Sequence, residues 1–359
     1  MRIAFYGSSL LSSYWNGAAT YYRGLLAALA PLGHEITFYE PDAFDRQRHR
    51  DIDPPDYARV VVYPATTDGL RSVLAEAGRA DAVVKASGVG VFDDELLAGL
   101  LAHARPGALR LFWDVDAAAT LDAMRADASH PLRGALAELD LVFTYGGGPP
   151  VVAAYTGFGA RRCVPVYNAL DPATHHPVRP DPRFAADLAF LANRLPDREA
   201  RVEAFFLEAA RRLPERRFLL GGNGWQDKDM PANVRAIGHV GTADHNAFNC
   251  SATAVLNVAR DSMAAVGFSP ATRVFEAAGA GACLITDAWE GIELFLEPGT
   301  EVLVARDGAD VAGHLAGLTP ERAAAIGAAA RARVLEAHTY AQRAVLVDAQ
   351  LREHFYVTT

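Results

Sequence analysis

Residues 2–9, RIAFYGSS, open the chain with a short apolar run that leads directly into a glycine turn. Aliphatic and aromatic residues followed at once by glycine and serine are typical of a first strand and the tight turn that ends it. The same pattern returns along the chain, with alanine-rich helical stretches between the runs. Strands that alternate with helices in this way predict right-handed crossovers and parallel sheets. The sequence therefore predicts an α/β fold.

Two such series follow each other in the 359 residues, which exceed the size of one ordinary core. Between them, residues 165–182 contain five prolines, and this composition is typical of a linker. We expect two Rossmann-like domains with a cleft between them. The expected divisions are a first domain at 1–166, a linker at 167–182, a second domain at 183–339 and a closing helical segment at 340–359.

Composition excludes several classes of protein. No apolar run approaches the roughly 20 residues of a membrane span, and the first residues do not form a signal peptide. Three scattered cysteines, Cys163, Cys250 and Cys283, show no metal or redox spacing, so we expect a protein of the reducing cytoplasm. A net charge of −9 disfavours a broad nucleic-acid surface.

Polar residues of the first domain follow predicted strand ends. The turn at Ser8 and the nearby Asn16 and Gly17 form either a phosphate-binding loop or a tight turn without a ligand. It is not the three-glycine dinucleotide fingerprint, which disfavours a dehydrogenase. Lys85 lies near the end of another strand and is a candidate for binding a substrate or its phosphate.

A carboxylate pair, Asp114 and Asp116, closes the strand predicted at 109–113. Either aspartate is a candidate general base for an acceptor hydroxyl. Asp116 also stands where a helix N-cap belongs, and this alternative remains open.

The glycine loop of the second domain, residues 219–225 with the sequence LLGGNGW, is more informative. Gly222, Asn223 and Gly224 follow a strand end, where backbone amides can approach a phosphate. Trp225 offers a flat face to a base or a sugar, or it simply packs in the core.

A second phosphate site is predicted at the start of a helix. Ser269 is the expected N-cap and proline 270 the first helical residue, and the helix continues through Thr272 and Arg273. Free amides and the helix dipole at such a start favour a diphosphate. Glu276 lies one turn deeper and either binds a ligand or only complements the dipole.

Further candidates for a ligand site also follow strand ends of the second domain. They are Asn193, Arg194, Arg198, His239, Val240 and Arg260. The paired histidines His175 and His176 lie in the proline-rich segment without a matching set of carboxylates. The sequence therefore predicts no metal site.

Four segments together resemble the GT-B glycosyltransferases, and among them the bacterial CgeB-like, spore-maturation-type branch. Residues 18–40 resemble the first helix and second strand of that superfamily, and 166–171 resemble its interdomain "PNGVD" segment. Residues 191–195 resemble the "VGRL" turn, and 273–281, RVFEAAGAG, resemble the "EAxAxG" donor helix.

The resemblance implies a glycosyltransferase that takes its sugar from a UDP-, GDP- or dTDP-sugar, without a metal or another cofactor. It implies that Arg194 contacts the donor diphosphate, that Glu276 binds the ribose and that the first domain binds the acceptor. The acceptor class stays open between a small molecule, a glycan, a protein and a lipid-linked molecule. A sugar-nucleotide-binding protein and a GT-B epimerase are the alternatives.

The resemblance also implies that the last helix, predicted at 341–355, returns to the first domain with Leu346, Leu351 and Phe355 as apolar anchors. Two departures from the family pattern limit what carries over. Phe268 stands where relatives have a second glutamate, so the retaining mechanism does not transfer. Arg198 is the nearest match to a lysine that follows the "VGRL" turn, one position early.

Overall fold

The computed structural model describes residues 1–358, with residues 197 and 356–358 described in their backbone alone. The chain divides into two compact units. One unit contains Met1–Asn168 together with the segment from Tyr340 onward, and the other contains Ala169–Thr339.

The first unit is built on a parallel sheet of seven strands. These are β1 (Arg2–Tyr6), β2 (Glu35–Asp42), β3 (Arg59–Pro64), β4 (Ala82–Ala86), β5 (Leu109–Asp114), β6 (Leu141–Thr144) and β7 (Cys163–Pro165). Their order across the sheet is β3-β2-β1-β4-β5-β6-β7. The connecting helices are α1 (Ala19–Leu29), α2 (Thr67–Ala77), α3 (Asp93–His103), α4 (Ala117–Ala126), α5 (Pro131–Ala135) and α6 (Gly148–Gly157).

The second unit repeats the arrangement with six parallel strands. These are β8 (Ala186–Leu191), β9 (Phe218–Gly221), β10 (Val234–Gly238), β11 (Ala252–Asn257), β12 (Leu284–Asp287) and β13 (Leu303–Ala305), in the order β10-β9-β8-β11-β12-β13. Its helices are α7 (Pro196–Val202), α8 (Glu208–Arg212), α9 (His245–Ser251), α10 (Asp261–Val266), α11 (Thr272–Gly279), α12 (Gly308–Ala316) and α13 (Pro320–Ala337), with a π-helical turn at Glu203–Leu207 between α7 and α8.

Both sheets have the strand order of a Rossmann fold, in which the first strand of each series lies inside the sheet and later strands are added first on one side of it and then on the other. The fold class predicted from the sequence, two Rossmann-like α/β domains, is confirmed. Helices cover both faces of such a sheet, so its strands carry apolar residues on both sides. All five residues of β4 are buried, as are all four residues of β9.

The last helix, α14 (Tyr340–Thr358), belongs to the first unit and packs along α1. Its buried apolar positions are Tyr340, Ala344, Val347 and Leu351, a spacing that follows one helical face. Leu351 is thus an anchor as predicted, but Leu346 lies off this face and is 37% exposed. The prediction for Leu346 is wrong because it was based on the size of the side chain and not on the spacing of the buried positions.

Short elements were missed at the sequence level. β7 contains only three residues, and α9 and α10 contain seven and six. Elements of this length contain too few residues to show a clear hydrophobic period. No helix of the described chain is long and apolar enough to cross a membrane.

The packing of α14 on α1 requires a glycine at position 24 of α1. A Cβ added to Gly24 would lie 2.2 Å from Cδ2 of Tyr340. We expect Gly24→Ala to lower the free energy of unfolding of the first unit by about 1–3 kcal/mol, despite the roughly 1 kcal/mol that alanine contributes to helix propensity. Urea unfolding measures the change.

Gly134 in α5 is the matched control, because an added Cβ there meets no atom within 4 Å. Gly134→Ala should leave the stability unchanged or raise it. Equal effects of the two substitutions would contradict the described packing.

Candidate functional site

The start of α11 contains two largely buried side chains of opposite charge, Arg273 and Glu276. Among residues 1–358, the guanidinium of Arg273 forms no hydrogen bond or ion pair, and its Nη1 atom is buried. Glu276, one turn further along the helix, is 8% exposed, and its carboxylate accepts no hydrogen bond from the described residues. Buried charged groups are normally paired by hydrogen bonds, so the guanidinium of Arg273 is costly as it stands.

Electrostatic contacts keep these two side chains charged. Burial raises the pKa of Glu276, but His175, Arg273 and His245 outweigh it and hold that pKa below its usual value. Burial lowers the pKa of Arg273, and Glu276 opposes this shift. A guanidinium retains its proton in proteins at ordinary pH. The site therefore contains one positive and one negative side chain with unused hydrogen-bonding capacity.

The backbone at the start of α11 adds donors. Within the described chain, the amides of Thr272 and Arg273 have no hydrogen-bond acceptor. They are the first free N–H groups of an α-helix, where the helix dipole also favours an anion. The predicted cap was wrong: the N-cap position is Ala271, and the hydroxyl of Ser269 donates instead to the carbonyl oxygen of Gly267, 2.8 Å away.

The glycine loop after β9 has a different role from the one predicted. The amide of Gly222 donates to the carbonyl oxygen of Gly238 at 2.6 Å, and that of Asn223 donates to the side chain of Asn193 at 2.9 Å. These two amides are therefore not free for a phosphate. The backbone of Gly222 has φ +117°, and an added Cβ would lie 2.1 Å from the carbonyl oxygen of Ala192.

The same packing explains Gly224 and Trp225. A Cβ on Gly224, which has φ +88°, would lie 3.1 Å from Cβ of Arg194. Trp225 is 3% exposed, packs in the core of the second unit and donates from Nε1 to the carbonyl oxygen of Ala192 at 2.8 Å. Of the two alternatives for Trp225, the structure selects core packing, and the prediction of a face for a base or sugar is wrong.

Arg194 is already engaged by protein groups. Its guanidinium pairs with Glu199 through two hydrogen bonds of 2.7 and 2.8 Å, and with Asp227 at 2.8 Å. Hydrogen bonds from Arg194 and Lys228 lower the pKa of Glu199 to about 2. In this arrangement Arg194 joins the loops after β8 and β9 and does not present a free guanidinium to a diphosphate.

The remaining candidates of the second unit have varied surroundings. Arg198 lies in α7 and is half-buried, and Arg260 is the N-cap residue of α10. His239 is exposed after β10, whereas Val240 is buried. Phe268, where relatives have a carboxylate, is half-buried against Gly291.

Histidines contribute to the surroundings of Glu276, which sequence reasoning missed. His175 Nε2 lies 3.8 Å from Glu276 Oε1, and His245 at the start of α9 also faces this carboxylate. The absence of a matching carboxylate for His175 was therefore a wrong inference. No local signal links the three residues, because about 30 to 100 positions separate them.

In the first unit, the structure buries Asp114 completely. Its carboxylate accepts hydrogen bonds from the Ser87 hydroxyl at 2.8 Å, the Thr120 hydroxyl at 3.1 Å, the Asp116 amide at 2.9 Å and the Tyr155 hydroxyl at 2.5 Å. Burial raises its pKa against these hydrogen bonds. Asp114 therefore fixes the end of β5, which corrects its assignment as a general base.

Asp116 is partly exposed at the N-cap position of α4, and its side chain makes no capping hydrogen bond there. Lys85 is 5% exposed and ion-paired with Asp93. The structure therefore does not offer Lys85 to a phosphate, as had been predicted. Of these three polar residues of the first unit, Asp116 keeps the features of a candidate base.

The loop between β1 and α1 is held by its own side chains. The Ser8 hydroxyl donates to Asn16 Oδ1 at 3.0 Å, and Asn16 Nδ2 donates to two carbonyl oxygens of the loop. Glu40, which is fully buried, accepts from the Ser9 hydroxyl at 3.0 Å. Gly17 is exposed. Ser8 and Asn16 thus shape this loop.

Comparisons with known proteins agree with the fold of the two units. A family model described as glycosyl transferase-like matches residues 198–348. No curated protein matches the chain. Sucrose-phosphate synthase from Thermosynechococcus elongatus superposes with a TM-score of 0.72 at 16% identity, over 99% of this chain and 100% of the other.

Two further solved structures are similar over nearly the whole chain. HepE of Anabaena, in complex with UDP and glucose, has a TM-score of 0.68 at 14% identity, over 98% of this chain and 100% of its own. An alpha-glucosyltransferase in complex with UDP has a TM-score of 0.71 at 10% identity, with the same two coverages. The chain therefore has the GT-B fold, and residues 198–348 form a glycosyl transferase-like segment.

The role given to Gly222 is testable by stability alone. Gly222→Ala places a methyl group against the backbone of Ala192 at a positive φ, so we expect a loss of about 1–3 kcal/mol in the second unit. Thermal unfolding measures it. Gly241, at φ −67° and with open space around an added Cβ, is the control that should change little. A Gly222→Ala protein of unchanged melting temperature would refute the packing role.

Proposed function

We propose that this protein is a glycosyltransferase that moves a sugar from a nucleotide-diphosphate sugar to an acceptor. The observation that carries the proposal is the start of α11, where Arg273 and Glu276 are charged, largely buried and without hydrogen-bond partners among the described residues. A guanidinium pairs with an anion and a carboxylate accepts hydrogen bonds from hydroxyl groups, so these two side chains suit a ligand that contains both. A nucleoside diphosphate joins these two features in one molecule.

The diphosphate is assigned to the amides of Thr272 and Arg273 and to the guanidinium of Arg273. When the bond between the sugar's anomeric carbon and the diphosphate oxygen breaks, negative charge develops on the leaving diphosphate. Amides at a helix start and a guanidinium stabilise that charge without having to reorganise. Because these groups supply the positive charge, we propose that transfer needs no metal ion.

The ribose is assigned to Glu276. An ionised carboxylate only accepts hydrogen bonds, so it suits two neighbouring hydroxyl groups. The low pKa of Glu276 keeps it ionised at neutral pH. His239, exposed after β10, remains a candidate for contact with the base. UDP is the proposed nucleotide, because structural neighbours of the chain were solved with UDP.

The acceptor is assigned to the first unit, with Asp116 as the proposed general base. A base must be able to reach the hydroxyl from which it takes a proton. Asp116 is partly exposed, whereas Asp114 is enclosed by its four donors and positions the backbone of Asp116. The nature of the acceptor stays open.

Within the GT-B enzymes we propose that the chain belongs to the CgeB-like branch. Support comes from segments 166–171 and 273–281, which keep the family's sequence features, and from the glycosyl transferase-like match over 198–348. The replacement of the upstream glutamate by Phe268 distinguishes this chain from the broader family pattern.

Isothermal calorimetry with UDP tests the assignment of the donor site. Arg273→Gln and Glu276→Gln should each weaken UDP binding about ten- to a hundredfold, because each removes a charge-assisted contact worth about 1.5–3 kcal/mol. Glu293→Gln, at an exposed position of the same unit, is the matched control and should leave affinity unchanged. Unchanged UDP binding in both site variants would contradict the assignment of Arg273 and Glu276 to the donor site.

Chelation tests the role given to arginine. Hydrolysis or transfer of UDP-glucose should continue at an undiminished rate in EDTA, because Arg273 and the helix start carry the leaving-group charge. Release of UDP measures turnover. Loss of turnover in EDTA that magnesium or manganese restores would show that a metal carries the charge. Tight UDP binding without any turnover would favour a binding protein.

A further inference from the structure

His175, His245 and Glu276 come from three separate segments of the second unit and meet beside α11. One side-chain nitrogen or oxygen atom of each lies within 4.8 Å of the other two. The His175 and Glu276 side chains are 12% and 11% exposed, and His245 is half-buried. Two imidazoles and a carboxylate are thus gathered in largely buried surroundings; we refer to them as the His–His–Glu cluster.

Each imidazole uses one ring nitrogen for a protein contact and keeps the other. Nδ1 of His175 lies 2.9 Å from the Thr174 hydroxyl, and its Nε2 faces Glu276. Nε2 of His245 lies 3.3 Å from the carbonyl oxygen of Val240, which can only accept, so the proton belongs on Nε2 and the lone pair on Nδ1. Metal-binding histidines are typically oriented by such a second contact.

The spacing suits a small cation better than direct hydrogen bonds. The 3.8 Å between His175 Nε2 and Glu276 Oε1 is too long for a hydrogen bond. A tetrahedral zinc ion, with bonds of roughly 2.0–2.1 Å, holds its ligand atoms about 3.3 Å apart. Small side-chain rotations would bring the three atoms to that distance. Two imidazoles and one carboxylate also match the ligand preference of zinc and similar ions.

We propose that the His–His–Glu cluster binds a divalent transition-metal ion such as Zn²⁺, and that the bound ion inhibits the protein by occupying the carboxylate of Glu276. Three protein ligands leave a fourth position for water. Ion binding is argued from the cluster alone, whereas inhibition rests on the proposed function, in which the same carboxylate holds the ribose. The ion is an inhibitor, so transfer without metal and binding of zinc are compatible.

Calorimetric titration of the chelator-treated full chain with zinc chloride, without nucleotide, tests ion binding. We expect one ion per chain, and an affinity at least about tenfold lower in both His175→Ala and His245→Ala. His176→Ala is the matched control, because Nδ1 of His176 lies near the carbonyl oxygen of Pro177 and His176 is not part of the cluster. Circular dichroism verifies that each variant is folded. Absent zinc binding, or binding that both variants retain, would overturn the proposal.

Arg273 separates this proposal from the donor site. Its guanidinium lies close enough to Glu276 and His245 to shift their pKa values, so its positive charge opposes a nearby cation. Arg273→Gln should therefore raise the affinity for zinc while it lowers the affinity for UDP. A fall in zinc affinity in this folded variant would contradict the location of the ion. If UDP does not bind but zinc does, the donor site is contradicted and the metal site is not.

Inhibition is tested by titrating UDP into the protein with and without one equivalent of zinc. Zinc should weaken UDP binding at least about fivefold in the wild-type chain. The same titration in the double variant His175→Ala/His245→Ala corrects for chelation of zinc by UDP itself and should show a smaller effect. Equal effects in the two proteins would overturn the inhibitory role.

Discussion

Two opposite charges at the start of α11 are the feature on which the proposed donor site depends. Arg273 and Glu276 attract each other electrostatically, yet neither is satisfied by hydrogen bonds within the described chain. A fold tolerates such groups only if the rest of the unit is stable enough to bear the cost. A ligand that brings an anion and hydroxyl groups would remove this cost, and this is the physical basis of the proposed donor site.

The loops after β8 and β9 are held together by contacts within the protein. Gly222 allows the loops after β8 and β9 to touch, and Arg194 ties them together through Glu199 and Asp227. Trp225 packs in the hydrophobic core of the second unit. The residues that look most like a phosphate-binding loop therefore act as a frame, while the free donors lie at a helix start elsewhere in the unit.

Periodicity was sufficient to predict the two sheets, because parallel strands buried on both faces form continuous apolar runs such as β9. It also predicted the helix that contains Arg273 and Glu276, whereas the roles proposed for them come from the pattern at the helix start and from the family resemblance. It could not show that the amides of Gly222 and Asn223 are used inside the protein, because their acceptors lie on other segments. The proximity of His175 to Glu276 could not be predicted for the same reason, because the fold of the whole unit brings these two residues together.

A crystal structure of the protein with UDP tests the central claim most directly. The account predicts ribose hydroxyl groups within hydrogen-bonding distance of the Glu276 carboxylate, and diphosphate oxygens on the amides of Thr272 and Arg273 and on the Arg273 guanidinium. A diphosphate bound to the loop of Gly222 and Asn223, with Arg273 and Glu276 away from the nucleotide, would contradict it.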